Sequence, residues 1–239
     1  MDWSLFGANG SEMFFRWVHY FAGVVWIGML YFFNFVQMDW FAQLMGDDKL
    51  KPAQGIAVRT LLPRVLKWFR YGALFTFISG VALLGIKAKP IGFAYLGTSS
   101  WWIFIATGAV LGTIMFLNVW LIIWPNQKIV MASAEQVAAG GQALPEAANA
   151  GAKARRASRH NTLFSLPMLL FMGAASHLPL NINPDYSGWT LTAVLGLIIG
   201  ALELNAIFGN VKPIDNTMKV THFGVVLSLV LYAVIEVIA

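Results

Sequence analysis

Long apolar stretches alternate with short polar ones along the whole chain. Six of the apolar stretches are long enough, at 1.5 Å rise per residue, to cross a hydrocarbon core of roughly 30 Å. They lie near residues 13–37, 65–86, 99–124, 161–177, 189–208 and 217–238. The pattern predicts an all-α polytopic membrane bundle of about six transmembrane helices. It forms a single domain over residues 1–239, with neither a solenoid repeat nor a second domain. The fourth segment is the shortest and carries Pro167, which predicts a kink whose freed carbonyl is satisfied inside the bundle. Gly108-x-x-x-Gly112 and Gly196-x-x-x-Gly200 are candidate close-packing patches between helices.

The polar stretches orient the bundle. Thirteen of the sixteen Lys and Arg fall in the connections between segments 1 and 2, 3 and 4, and 5 and 6 (entries included), against Arg16, Lys87 and Lys89 on the other side. The positive-inside rule therefore predicts both termini outside. Tryptophans near the segment ends, Trp17, Trp68, Trp101, Trp102, Trp120, Trp124 and Trp189, fit interfacial belts. The one long hydrophilic insert, 125–160, reads as a cytoplasmic loop whose basic end, Lys153 to Arg159, lies against anionic headgroups.

Composition agrees with the pattern: 58% hydrophobic residues, 11% charged and a mean hydropathy of +0.67. About twice that charge is usual in a soluble domain. With the basic residues confined to a few connections, the net charge of +5 reflects orientation in a lipid bilayer, with no nucleic-acid partner. Asp2 and Glu12 ahead of the first apolar run, and no Lys or Arg before Arg16, argue against a cleaved signal. The absence of cysteine excludes disulfides, thiolate metal sites and covalent c-type haem.

Imidazole is then the strongest ligand available, and all four histidines lie at or just inside segment ends. Matching depths pair His19 with His177 and His160 with His222. Imidazoles from two facing helices at one depth are what a six-coordinate b-type haem needs, so one or two haem b groups are expected, with these histidines as axial iron ligands. Seventeen residues separate His160 from His177, a rise of ~25 Å and a net turn of about 100° that point them to different faces. One haem is thus easier to hold than two. His19 and His222 lie inside segments, where desolvation disfavours an idle imidazole. His160 adjoins Arg159 at the membrane edge, where a simple hydrogen-bonding role is the plainer reading. Arg16, one turn before His19, snorkels to headgroups or meets a haem propionate or an anionic substrate. Glu203, Asn205, Asn34 and Asn118 also need partners, and Glu203 is expected to pair with Lys212 or another basic residue.

Two blocks carry a resemblance. Arg16-Trp17-Val18-His19-Tyr20-Phe21-Ala22-Gly23-Val24-Val25-Trp26-Ile27-Gly28, running on to Tyr31–Gln37, is similar to the first helix of the bacterial membrane-bound urate hydroxylases. Ser158-Arg159-His160-Asn161-Thr162-Leu163-Phe164-Ser165-Leu166-Pro167-Met168, running on to Ser176-His177, is the second match. The resemblance implies a multi-pass protein of the bacterial plasma (inner) membrane that oxidises urate to 5-hydroxyisourate and passes electrons to cytochrome c. In that family a c-type cytochrome domain follows the membrane domain. These 239 residues hold no C-x-x-C-H, so the acceptor expected here is a separate c-type cytochrome or the quinone pool. A second reading is a non-catalytic subunit that holds or assembles a larger respiratory or photosynthetic complex. A copper transporter is a weaker third, because the ten methionines are scattered without an M-x-x-M ladder.

Overall fold

The computed structural model describes residues 7–239, which leaves Asp2 outside the described residues. Helix α1 (Ala8–Tyr31) passes through a π-helical stretch, Phe32–Gln37, into α2 (Met38–Gly46). Helices α3 (Lys51–Thr60) and α4 (Leu62–Ile91) follow, each with proline in its first turn, where a missing N–H costs nothing. Helix α5 (Ser100–Leu117) continues through a second π stretch, Asn118–Ile123, into α6 (Trp124–Ala138). Helices α7 (Ala147–His177), α8 (Gly188–Phe208) and α9 (Thr217–Ile238) complete the bundle. No strand occurs among the described residues.

Among the described residues, five helices are long and apolar enough to cross a membrane: Gly10–Gly46, Leu62–Ile91, Ser100–Ala138, Gly188–Phe208 and Thr217–Ile238. Large apolar side chains cover their outer faces, among them Val24 (74% exposed), Leu197 (74%) and Val237 (85%), as a lipid solvent requires. Trp17, Trp68 and Trp189 are exposed in the manner of a belt. Trp120 and Trp124 instead stack on the Arg70 guanidinium, 5.2 and 3.8 Å from the ring centres.

The expected fourth span is helical, yet it fails the same test of apolarity. The reason is its place. Helix α7 packs on α1, α5, α6, α8 and α9, and every residue from Arg159 to Ser165 is buried. Shielded from lipid by its neighbours, it can be polar. It also runs unbroken through Pro167. The Leu163 carbonyl that Pro167 cannot serve faces Gly224 of α9, where a Cβ would come within 3.3 Å of it.

The insert at 125–160 is not a loop. Only residues 139–146 separate α6 from α7, because the alanine-rich sequence on either side favours helix. Ala150, Ala154 and Ala157 are buried on α7, and Ser133 of α6 accepts the Leu144 N–H at 3.0 Å. The basic run also turns inward: Arg156 donates to the Ala206 carbonyl at 2.8 Å and to that of Ile207, capping the end of α8. Of the two glycine patches, Gly108 meets α7, where a Cβ would lie 3.3 Å from the Met172 nitrogen. A Cβ at Gly196 or Gly200 would meet nothing within 4 Å among the described residues.

Candidate functional site

The sequence places His19 one turn after Arg16 on α1, and the α1–α4 pairing decides what it meets. Gly72 allows α4 to approach until a Cβ there would lie 3.0 Å from the Trp26 nitrogen. That approach sets His19 against α4, with Nδ1 2.9 Å from the Thr76 carbonyl and 3.3 Å from Ser79 Oγ. A carbonyl only accepts, so Nδ1 carries the proton and Nε2 is the accepting nitrogen of the neutral ring. Among the described residues nothing engages Nε2.

His19 lines a cavity of about 170 Å³ enclosed by α1, α4, α5 and α7. By the volume of liquid water this is room for roughly five or six molecules. Arg16 and Lys87 line it from α1 and α4, and both meet Glu12: Arg16 in an ion pair one turn apart, Lys87 with Nζ at 3.6 Å. Trp26 and Trp101 supply aromatic wall, and Thr113 and Ser176 supply hydroxyls. Trp26 is 2% exposed, and its Nε1–H has no partner. A buried donor left unmade is costly, and here it belongs to a residue of the cavity wall.

The remaining histidines lie elsewhere. His177 is exposed at the end of α7 and does not line the cavity, although its neighbour Ser176 does. His160 is buried, with both ring nitrogens engaged: Nδ1–H donates to the Arg156 carbonyl at 2.9 Å, and Nε2 accepts from Asn205 Nδ2 at 2.8 Å. His222 is exposed on α9. The expected bis-histidine haem does not fit this arrangement. His160 would have to surrender two hydrogen bonds, His222 and His177 are exposed, and no second histidine lines the His19 cavity among the described residues. Among the described residues, no group of three or more His, Asp or Glu could hold a metal ion.

At the opposite, basic end, α7 carries a polar cluster with one asparagine from each π stretch. Asn34 donates to Ser158 Oγ at 2.8 Å, and Asn118 donates to Asn161 Oδ1 and Glu203 Oε2, each at 3.0 Å. Glu203 is therefore held by an amide, not by the basic partner expected for it. Arg159, 1% exposed, donates to the backbone carbonyls of Asn34 and Asp215, each at 3.2 Å. These bonds tie the first span and the connection between α8 and α9 to α7.

Trp26, Thr76, Lys87 and Trp101 are site residues that the sequence left unassigned. Lys87 had a signal, since it is one of three basic residues at the sparsely charged end, together with Arg16. No curated protein and no solved structure matched the chain. The family model described as urate oxidase N-terminal matches residues 92–236, which take in α5 to α8 and nearly all of α9. This match, together with the membrane-type helices, agrees with the resemblance carried by the Ser158–His177 block; the Arg16–Gln37 block lies outside the matched residues. The chain belongs to the urate oxidase N-terminal family.

Proposed function

We propose that this membrane protein binds urate, or a closely related planar purine anion, in the His19 cavity and oxidises it. The observation that carries the reading is the convergence of Arg16, Lys87 and His19 on one small cavity walled by Trp26 and Trp101. Urate is planar, carries one negative charge at neutral pH and presents carbonyl acceptors at its rim. Arg16, Lys87 and Glu12 together leave one net positive charge at the mouth. The indoles of Trp26 and Trp101 offer faces or edges for a flat ring. In this reading His19 Nε2, the acceptor left once Nδ1–H is held by Thr76, takes a proton as water adds to the purine. Forming 5-hydroxyisourate adds one oxygen from water and releases two electrons and two protons. A separate c-type cytochrome or a membrane quinone takes the electrons. The excess of basic residues at the opposite end supports a cavity facing outward from a bacterial plasma membrane.

Titrating urate into purified protein in nanodiscs tests the reading. Saturable binding is expected, weakened about tenfold or more in Arg16→Gln or Lys87→Met, the scale of one charge-assisted hydrogen bond. Urate that fails to bind would overturn it.

A further inference from the structure

A second, larger hollow shares a wall with the first. It is an apolar cleft of about 610 Å³ between α5 and α8, bounded by Ile103, Val110, Leu195 and Ile199 and floored by the open Gly196 and Gly200. Helix α5 alone divides it from the His19 cavity. Trp101, Ile105, Ala109 and Thr113 face the cavity, while Trp102, Ala106, Val110 and Ile114 face the cleft. With side chains, one helix is roughly 10–12 Å across. At one end even that spacing is bridged, because the Trp101 and Trp102 rings, one lining each hollow, have centroids 6.1 Å apart.

The cleft is not uniformly apolar. Trp102, Trp189 and Tyr186 gather at the end where α8 begins, and small residues line the length beyond. Burial pushes the Tyr186 phenol above its ordinary value, so its O–H remains a donor over the physiological range. An aromatic clamp with one hydroxyl donor, leading into a long apolar slot between helices, fits a ring bearing carbonyl acceptors and an apolar tail.

We propose that the α5–α8 cleft binds a membrane quinone, and that the quinone takes the electrons released in the His19 cavity across the Trp101–Trp102 pair. This rests on the oxidation proposed above. The reaction balances: urate, water and quinone give 5-hydroxyisourate and quinol. A C–O bond forms at the purine, and two electrons and two protons pass to the quinone oxygens. The indoles narrow the gap for electron transfer and are not themselves oxidised.

The test uses the whole chain in phospholipid nanodiscs with a decyl-substituted benzoquinone as probe. Quinone binding, urate binding and urate-dependent quinone reduction are measured separately. Gly196→Leu with Gly200→Leu puts side chains into the cleft at positions where a Cβ meets nothing within 4 Å. The double variant should lose quinone binding and reduction at least tenfold and keep its urate affinity within twofold. Trp102→Leu should slow reduction about tenfold at unchanged urate affinity, with Trp102→Phe recovering part of the rate. Quinone that fails to bind wild-type protein, or that binds equally to the filled variant, would overturn the site. Phospholipid that quinone cannot displace would overturn it too. Wild-type protein that binds both ligands yet transfers no electrons would overturn the route. Loss of urate binding alone would instead count against the oxidation reading, because quinone binding is read independently.

Discussion

His160 and His222 show how far two similar residues can diverge. His160 is enclosed and uses both ring nitrogens, so His160→Ala leaves an Asn205 donor and a cavity behind. It should cost about 1–3 kcal/mol, read as a lowered Tm in detergent. His222→Ala, on the outer face of α9, should stay within about 0.5 kcal/mol of wild type and leave any absorbance spectrum unchanged. A destabilised His222→Ala would contradict its placement. For His160 the hydrogen-bonding role read from the sequence is the one the structure shows, whereas His222, expected to need a partner inside its span, is exposed. Segment position reveals depth along a helix but not the direction in which a side chain points. For His19 the two agreed, since an imidazole inside a span needs a partner and α4 supplies the Thr76 carbonyl. Trp26 was illegible for the same reason in reverse: an indole in an apolar run looks like packing until its N–H is found unpartnered.

Among the helices, α7 is the instructive one. Hydropathy treats every apolar stretch as though lipid surrounded it, whereas α7 is surrounded by protein and carries Arg159, His160, Asn161 and Thr162 in its buried run. Its polar character, which weakens it as a span, is what lets it bind the other helices together. The helical insert was hidden because alanine and glycine mixed with charges read as a loop by composition, although alanine favours helix. Close approach through glycine gives a prediction at this scale. Gly72→Leu would drive a side chain into the Trp26 backbone and should destabilise by about 1–3 kcal/mol, whereas Gly196→Leu, with open space, should not. Equal melting of the two variants would contradict the α1–α4 packing.

For the whole molecule, the division between a sparsely charged cavity end and a basic end was legible from loop charge, and the polar cluster on α7 falls at the basic end. The chain has no cysteine, so single cysteines report orientation cleanly. Ser187→Cys, ahead of α8, should react with a membrane-impermeant maleimide in intact cells, and Ala143→Cys, between α6 and α7, only after permeabilisation. The reverse pattern would invert the topology. The family match begins at residue 92, so the part of the His19 cavity built by α1 and α4 lies outside it. That part holds Arg16, His19 and Lys87, the groups proposed to select an anion. Equilibrium titration of urate into the purified wild-type protein, beside Arg16→Gln and Lys87→Met, is therefore the most direct measurement. Saturable wild-type binding that each variant weakens by about tenfold or more is the predicted result. No wild-type binding, or equal affinity in all three proteins, would contradict a urate site in this cavity.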